Sequence, residues 1–328
     1  MKKLLLSVVL CAFCTSLFAV RFVTKPYLQC VQSTEATIMW LSDDNVGMYG
    51  WVEYIPSGGK KQIAYQYVDG VRSMCSKINR VRLTNLEPGK KYSYRVYEVG
   101  MTNLARTSIT VGDTIMSETY SFTTPALDAP YTRCLIFNDL HNNPSYFQRM
   151  IGFNKLPDYD FVYFNGDILN TLSNETTILE NLIKPAITTF ATEKPFFTVK
   201  GNHETFGSYI RHYWDYFANP TSASGESRGF YSFSWGPCFF IVLDTGSDQD
   251  NTKGILGSLE DFDPYRVEQA AWLEKQLQSE ERKKASFTFV MMHAPTYSNT
   301  SKEYHQSIHA REVFQPLFHQ YEIDENSI

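Results

Sequence analysis

Four candidate strands in the second half of the chain end in polar residues that could do chemistry. A glycine or an asparagine is enough for a turn, so any one of these endings is equally well explained as a polar turn. Four such endings within one segment favour a shared site, because open α/β folds place their ligands where strands end. The residues that follow these strands are Asp139, His141, Asp167, Asn202, His203, Glu204 and His293.

The side chains of this set suit a divalent metal ion. Carboxylates and imidazoles together fit zinc, manganese or iron. No Cys-x-x-Cys pair occurs after residue 19, so the sequence does not indicate a thiolate cluster. An imidazole also titrates near neutral pH, which suits proton transfer to a reacting oxygen.

The motifs resemble those of the calcineurin-like metallophosphoesterase superfamily. They occur in the order Asp-x-His, Gly-Asp, Gly-Asn-His-Glu and His-Ala-Pro. With the all-β segment in front of them, the chain is similar to a bacterial relative of the purple acid phosphatases. The resemblance implies that Asp139 and His141 bind a first metal ion, that Asn202 and His293 bind a second, and that Asp167 bridges the two.

The same resemblance implies hydrolysis of phosphate esters. Two divalent metal ions (Zn, Mn or Fe) about 3.5–4 Å apart would clamp the attacking and leaving oxygens and make hydroxide available near neutral pH. His203 would lie outside the metal shell and donate a proton to the leaving oxygen. Glu204 or a neighbouring residue would orient His203.

Two departures from the family pattern limit this expectation. Purple acid phosphatases carry an iron-binding tyrosine three residues after the Gly-Asp aspartate, and this chain has Asn170 there. A purple iron(III) site is therefore not expected. The family's late Gly-His-x-His motif, with one histidine for each metal, is absent, since the last glycine is Gly257. We therefore expect a phosphoesterase domain that is incomplete at its C-terminal end and has weak or no activity.

Two other histidines are alternative ligands. His305 and His309 are four residues apart and would share a face if the segment 303–318 is helical. That spacing can bind a metal ion. The apolar residues around the pair favour an ordinary packing helix instead.

Alternating strands and helices must position the candidate site. In the segment 131–328 the candidate strands are TRCLIFN, DFVYFN, PFFTV, FYSFSW, CFFIVLD and SFTFVMM. A helix is predicted from Pro264 to about Arg282, with Asp263 as its cap. Its apolar stripe would consist of Val267, Ala270, Leu273 and Leu277. This pattern indicates an α/β layered domain, and the family resemblance specifies the layers as αββα.

The segment 20–125 is predicted to be a β-sandwich. Short apolar runs separated by turn residues, without helical periodicity, indicate this architecture. Trp40 and Trp51 are expected to be core aromatics of two strands, and Leu86, Pro88 and Tyr92 are similar to a tyrosine-corner turn. The segment resembles a fibronectin type III-like domain, which by itself suggests an interaction or spacer module.

The first nineteen residues are typical of a secretory signal peptide. Lys2 and Lys3 precede an apolar run that ends at Ala19. The layout looks bacterial and predicts a secreted or periplasmic protein, with a retained membrane anchor as the alternative and no membrane span after cleavage. Of the remaining cysteines, Cys134 and Cys238 are expected to be buried thiols. A disulfide between Cys30 and Cys75 is possible in an oxidising compartment.

Composition limits the partners. The chain has 328 residues, which is long enough for two domains. Its content of 43% hydrophobic and 20% charged residues is that of a globular protein. The net charge of −5 shows no basic bias, so nucleic acid is not expected as a partner. The expected substrate is a phosphorylated small molecule or a phosphoprotein. The alternatives are a phosphodiesterase and a non-catalytic surface protein with a degenerate phosphoesterase domain.

Overall fold

The computed structural model describes residues 20–43, 47–153, 158–220, 229–249, 259–297 and 303–323. The predicted leader at residues 1–19 lies outside the described residues, so its cleavage stays a prediction. Within the described ranges, no helix combines the length and the apolar character needed to cross a lipid bilayer.

The N-terminal half consists of antiparallel strands. One sheet has the order β1-β2-β7, and a second has the order β10-β8-β3-β4, with β9 paired to β8 and the short β5–β6 hairpin outside both sheets. The strands are β1 (Tyr27–Gln29), β2 (Ala36–Leu41), β3 (Gly47–Pro56), β4 (Gln62–Ala64), β5 (Tyr67–Val68), β6 (Val71–Arg72), β7 (Ile78–Leu83), β8 (Lys91–Ala105), β9 (Ser108–Met116) and β10 (Tyr120–Thr123).

The two predicted core tryptophans of this half differ in their surroundings. Trp40 is fully buried and donates to the Glu98 carboxylate at 2.9 Å. Trp51 is only half-buried and stacks on Tyr97 of the neighbouring strand at 5.2 Å between ring centroids. The expectation for Trp51 was therefore wrong, because side chains alternate between the faces of a strand and Trp51 lies on the outer face. The tyrosine-corner contact is present, since the Glu87 amide donates to the Tyr92 hydroxyl at 2.8 Å.

The C-terminal half contains two three-stranded sheets. The strands are β11 (Cys134–Phe137), β12 (Phe161–Asn165), β13 (Phe196–Val199), β14 (Tyr231–Trp235), β15 (Cys238–Leu243) and β16 (Phe287–Met292). Strands β11, β12 and β13 are parallel to one another, β14 and β15 are antiparallel, and β15 and β16 are parallel. The expected order of a β-rich domain followed by a mixed α/β domain is confirmed.

Helices cover both sheets and complete the layers. They are α1 (Ser145–Gly152), α2 (Glu175–Ile178), α3 (Lys184–Ala186), α4 (Phe262–Leu277), α5 (Glu280–Lys284) and α6 (His305–Gln320), with π-helical turns at Leu179–Ile183 and Ile187–Ala191 that join α2 and α3 into one stretch, 175–191. One apolar cluster joins this stretch to the sheet of β11, β12 and β13. Another joins α4 and α6 to the sheet of β14, β15 and β16. Aromatic side chains of the two sheets meet between them, and Phe197 stacks on Phe233 at 4.0 Å.

Helix α4 differs from the helix predicted here. It begins at Phe262 and ends at Leu277, and Ser279 caps the separate helix α5. Asp263 lies in the first turn, and Asp261 occupies the cap position. The predicted stripe was partly wrong, since Val267 is exposed. The N-terminal part of the helix instead buries polar side chains that bind carbonyl groups of the loop after β15.

The four cysteines of the described chain carry free thiols. Cys30 and Cys238 are buried, Cys134 is half-buried and Cys75 is exposed. The possible Cys30–Cys75 disulfide is therefore not formed in this structure.

Candidate metal centre

The strand ends bring the candidate residues to one edge of the C-terminal half. Strands β11, β12 and β13 run in the same direction, so their carboxyl ends meet there. The end of β16 in the other sheet reaches the same place, because the Asn165 side-chain amide donates to the Met292 carbonyl oxygen at 3.1 Å. His293 is the next residue, and its Nδ1 lies 2.8 Å from the Asn165 carbonyl oxygen.

Asp167 lies at the centre of this arrangement. The residue is 3% exposed, and its Oδ2 lies 3.4 Å from His293 Nε2 and 3.9 Å from His203 Nε2. Asp167 belongs to two groups of possible metal ligands. One group also contains His141 and His203, and the other contains Asp139 and His293. Within each group, the possible ligand atoms lie within 4.8 Å of one another. Asp139 Oδ1 and His141 Nε2 are 3.8 Å apart, so the two groups adjoin.

The local backbone adopts conformations that most residues avoid. The φ angles of Asp139, His141, Asn142 and Asp167 are 53°, 46°, 64° and 51°. Apart from glycine, asparagine and aspartate tolerate left-handed φ best, and such outliers cluster at functional sites. The chain therefore turns sharply after β11 and β12, which keeps the side chains at the strand ends.

Two glycines allow the strand ends to approach one another. A Cβ atom at Gly201 would lie 2.1 Å from Asp167 Oδ1, and one at Gly166 would lie 2.7 Å from the ring of His293. Side chains at these positions would displace the aspartate or the histidine. The glycines of the Gly-Asp and Gly-Asn-His-Glu motifs are therefore needed for packing around the site.

Backbone carbonyl groups set the tautomers of two histidines. His293 Nδ1 lies 2.8 Å from the Asn165 carbonyl oxygen, and His203 Nδ1 lies 2.8 Å from the Asn170 carbonyl oxygen. A carbonyl oxygen can only accept, so each Nδ1 carries the hydrogen. Each Nε2 is then the atom that faces Asp167, available to a metal ion or to a second proton.

Glu204 links the turn after β12 to the turn after β13. Its carboxylate accepts from the amides of Asp167 at 2.9 Å, Leu169 at 2.8 Å and Gly201 at 2.8 Å, and the residue is fully buried. Glu204 or a neighbouring residue was expected to orient His203, and among the described residues Glu204 is not the partner of the imidazole. The backbone of the short turn His203–Thr205 directs Glu204 inward, and the Asn170 carbonyl group holds the imidazole instead.

The charges of the centre stabilise one another. Burial works against the charge of Asp167, but the hydrogen bond and the charge of His293 outweigh it and lower the pKa of Asp167. Burial likewise opposes a charge on His293, yet the neighbouring Asp167 raises the pKa of His293 to about 9. Burial raises the pKa of Glu204, and the Leu169 amide counteracts part of this effect.

The side chains present fit divalent metal ions. The Nε2 atoms of His203 and His293 lie near the buried Asp167 carboxylate, and Asp139 and His141 lie beside them. Carboxylates and imidazoles are ligands that zinc, manganese and iron prefer. The inward-facing Nε2 atoms are held by carbonyl partners, as is usual for metal-binding histidines.

The structure brings together Asp139, His141, Asp167, His203 and His293. Asn202 lies between Gly201 and His203 in the same turn, and its carbonyl oxygen accepts from the Thr205 hydroxyl at 2.7 Å.

Sequence reasoning missed the asparagines that support the site. Asn165 and Asn170 provide the carbonyl groups for the two histidines, and the Asn142 side chain accepts from the Asn170 amide at 3.1 Å. Asn165 had a visible signal, because the candidate strand DFVYFN ends with it.

The alternative ligands His305 and His309 have a different partner. His305 Nε2 lies 2.8 Å from Asp263 Oδ1, and His309 Nδ1 lies 3.6 Å from the same atom. Arg266 also donates to this oxygen at 2.7 Å. The pair therefore belongs to a contact between α4 and α6, and no described contact joins it to Asp167.

Comparison with protein families agrees with this geometry. The model of the calcineurin-like phosphoesterase family matches residues 132–324, and that of the purple acid phosphatase N-terminal domain matches residues 23–124.

Individual relatives are distant but extend over most of the chain. The probable purple acid phosphatase 20 of Arabidopsis thaliana is 25% identical over 92% of this chain and 66% of its own length. Purple acid phosphatase 21 of the same plant is 23% identical over 76% of this chain and 50% of its own length. An uncharacterized protein of Mycobacterium tuberculosis is 26% identical over 89% of this chain and 57% of its own length. The chain thus spans between half and about two thirds of the length of these relatives.

Proposed function

Because the chain belongs to the calcineurin-like phosphoesterase family, we propose that it hydrolyses phosphate esters with two divalent metal ions held around Asp167. The observation that carries the proposal is the buried Asp167 carboxylate, which is shared by two groups of potential ligands within 4.8 Å. A single carboxylate with ligands on both sides suits a pair of ions rather than one.

The residues would divide between the two ions as follows. Asp139 and His141 would hold one ion, Asn202 and His293 would hold the other, and Asp167 would hold both. When bound, the ions supply positive charge to the phosphate group and activate a water molecule as the nucleophile. Zinc, manganese and iron all fit this donor set.

His203 would deliver a proton to the leaving oxygen. Its Nδ1 is held by the Asn170 carbonyl oxygen, and its side chain is 31% exposed, so a substrate can reach Nε2. Protonated imidazole is a suitable acid near neutral pH. His203 also offers a ligand atom within 4.8 Å of ligand atoms of His141 and Asp167, so the geometry also admits His203 as a ligand.

Two substitutions separate these roles. Asp167→Asn removes the shared charge and should abolish both metal binding and turnover. His203→Ala should keep the metal and lower the turnover of p-nitrophenyl phosphate by about 10²–10⁴, as expected for loss of a general acid. His319→Ala, at an exposed position near the end of α6, serves as the matched control and should behave as the unaltered chain.

Metal content by elemental analysis and steady-state kinetics are measured on the same samples. If His203→Ala loses metal as completely as Asp167→Asn, His203 is a ligand and the division of roles is wrong. If the unaltered chain binds no metal, the proposed function fails. If it binds metal but hydrolyses no phosphate ester, the alternative of a non-catalytic protein with a degenerate phosphoesterase domain replaces it.

A further inference from the structure

The loop after β15, residues 244–247, lies between two turns of the candidate metal centre. All four of its residues are buried. Lys200, which directly precedes the turn after β13, contacts the first residue of the loop. Ala294, which directly follows His293 at the end of β16, contacts the second residue of the loop. One short segment therefore contacts the backbone of both turns.

A buried ion pair joins this loop to the turn after β13. Lys200 Nζ lies 3.7 Å from Oδ2 of the fully buried Asp244, and the Lys200 side chain is 17% exposed. The ammonium group lies over the Trp214 ring, 5.9 Å from its centroid. Burial raises the pKa of Asp244, and the charge of Lys200 counteracts part of this effect. Because a buried charge without its partner is costly, the lysine side chain is held at the loop.

The backbone after this lysine packs directly against Asp167. The Gly201 amide donates to Glu204 at 2.8 Å, and the His203 amide donates to Asp167 Oδ1 at 2.9 Å. A Cβ atom at Gly201 would lie only 2.1 Å from that oxygen, so the backbone itself is in contact with the carboxylate. A shift of this backbone would therefore move Asn202 and His203 relative to Asp167.

The second residue of the loop holds the turn after β16. The Thr245 hydroxyl oxygen accepts from the Ala294 amide at 3.3 Å. The Asn165 carbonyl oxygen fixes the imidazole of His293 from another direction, at 2.8 Å from Nδ1. Since Ala294 is the next residue after His293, the Thr245 hydroxyl constrains the backbone of a proposed ligand.

Helix α4 fixes the loop. The side chain of Gln269 accepts from the Asp244 amide and donates to the Asp244 carbonyl oxygen, both at 2.8 Å. Arg266 donates to the carbonyl oxygens of Thr245 at 2.8 Å and Ser247 at 3.1 Å. The position of the loop is therefore set by α4 rather than by the residues of the metal centre.

We propose that the loop 244–247 positions the turn after β13 against the turn after β16, with Lys200, Asp244 and Thr245 as the positioning residues. Each of them acts through the backbone next to a proposed ligand, as residues that orient metal ligands commonly do. This positioning concerns contacts within the protein, so it does not depend on the proposed function.

The consequence for the metal centre concerns one of the two proposed ions. Asn202 and His293 follow β13 and β16, which lead into the two turns that the loop contacts, whereas Asp139 and His141 follow β11. The loop should therefore affect binding of the ion assigned to Asn202 and His293 more than binding of the other ion. This expectation rests on the proposed function.

Hydrogen exchange of the full chain, as purified, tests the positioning without any turnover. The segment 199–206 is followed by mass spectrometry, with β8 in the same sample as the reference for global unfolding. We expect Lys200→Met to raise the exchange rate of this segment about ten-fold relative to β8, because local opening becomes easier. Lys283→Met, at an exposed ion pair of α5, is the matched control and should leave the rate unchanged. An unchanged rate in Lys200→Met would overturn the proposal.

A double variant separates positioning from stability. Lys200→Met leaves the buried Asp244 carboxylate unpaired, which is itself destabilising. Lys200→Met combined with Asp244→Asn removes both charges and should recover much of the free energy of unfolding in urea, while the segment 199–206 still exchanges fast. Recovery of slow exchange together with stability would show that the pair acts only on the stability of the fold, which contradicts the proposal. If Lys200→Met does not fold, the double variant carries the exchange measurement.

Titration with Mn²⁺ tests the consequence for the ions, with free Mn²⁺ counted by electron paramagnetic resonance. We expect Thr245→Val to weaken one of two bound ions by about 10–100-fold, the usual loss when a residue that orients a ligand is removed. Thr245→Ser keeps the hydroxyl group and should bind both ions as the unaltered chain does. Unchanged binding in Thr245→Val, equal weakening of both ions, or the same loss in Thr245→Ser would refute the expected dependence. No Mn²⁺ bound by the unaltered chain, with fast exchange in Lys200→Met, would count against the proposed function alone.

Discussion

The backbone conformation of Asp167 and two backbone hydrogen bonds hold this residue in place. Its backbone has φ of 51°, its amide donates to Glu204 at 2.9 Å, and its carbonyl oxygen accepts from the His141 amide at 3.0 Å. A left-handed backbone conformation costs roughly 1–3 kcal/mol and persists only where the surroundings impose it. Here Glu204 and the turn after β11 impose it, so the aspartate is held in place before any ligand binds.

Asn170 is the basis of a prediction about the visible spectrum of the iron-loaded chain. It stands three residues after the Gly-Asp aspartate, where the purple acid phosphatases carry their iron-binding tyrosine. Its carbonyl oxygen accepts from His203 Nδ1 and the Thr171 hydroxyl, and its amide donates to the Asn142 side chain. Tyr163 is fully buried within β12, and burial raises its pKa well above the ordinary value, so it is not a substitute.

We therefore expect the chain loaded with iron(III) to show no intense visible absorption band, because Asn170 cannot supply a phenolate to the metal. A visible spectrum after loading checks this, and Asn170→Tyr is the companion variant that should gain the band. An intense band in the unaltered chain would contradict the assignment and would direct attention to Tyr297, which is exposed.

At the scale of elements, β1 of the sandwich supports the strand that leads to His203. Gln29 is fully buried, and its side-chain amide donates to the Phe196 carbonyl oxygen at 3.1 Å. Its side-chain oxygen accepts from the Ala218 amide at 3.3 Å. One side chain thus holds the start of β13 and the segment after the turn Ile210–Tyr216.

Gln29→Leu should lower the free energy of unfolding by about 2–3 kcal/mol, because a buried polar group left without a partner costs roughly 1–3 kcal/mol. Urea unfolding measures the change. Gln320→Leu, at the exposed end of α6, is the matched control and should stay within about 0.5 kcal/mol of the unaltered chain. A loss no larger in Gln29→Leu than in the control would show that this contact between the two halves does not stabilise the fold.

The contact between α4 and α6 should depend on pH. Burial lowers the pKa of His309, Arg266 and His305 lower it further, and Asp263 and Glu312 oppose them. The unfolded chain therefore binds a proton near the ordinary histidine pKa of about 6.5, where the folded chain does not. Neutral His309 therefore contributes to the free energy of unfolding above that pH. The contribution is lost as the pH falls through the pKa that His309 has in the folded chain.

We expect the difference in unfolding free energy between the unaltered chain and His309→Gln to change between pH 7 and pH 5, with the variant gaining relative stability at pH 5. Urea unfolding at both pH values gives this difference, and the effects of titrating groups that do not interact with His309 cancel in it. A difference that is independent of pH would show that His309 does not titrate differently in the two states.

At the scale of the whole molecule, the two halves share apolar cores. Tyr27 and Met39 of the sandwich belong to the same cluster as Phe164 and Phe196 of the phosphoesterase domain. The rings of Tyr27 and Phe196 are stacked with centroids 6.2 Å apart, and the Tyr27 hydroxyl donates to the Tyr216 carbonyl oxygen at 2.9 Å. The contact is thus partly a continuous core rather than a polar surface between domains.

We therefore expect the two halves to unfold in one transition by differential scanning calorimetry, because a shared core couples their stabilities. Tyr27→Ala should lower the temperature of that single transition by removing a fully buried side chain. Two separated transitions in the unaltered chain, with only the sandwich affected by Tyr27→Ala, would contradict this coupling.

Much of the candidate site could be predicted from the sequence because its information is local. Apolar runs such as those before Asp139 and Asp167 predict buried strands, and glycines directly after them predict sharp turns. The order of the motifs then indicated the family, and the match of the phosphoesterase family model confirmed it. Strand β9 (Ser108–Met116) has little such local signal of burial, since nearly all of its residues are exposed.

The rest was decided by contacts between residues far apart in the chain. Glu204 reads as a possible partner of its neighbour His203, yet its nearest available donors are amides that only the packing of β12 against β13 brings there. Trp51 reads as a core aromatic, but strand pairing places it on the outer face beside Tyr97. Local pattern determines which residues can form a strand, a turn or a ligand. Only the tertiary structure decides which donor each acceptor meets, because a hydrogen bond depends on distances that the chain order does not contain.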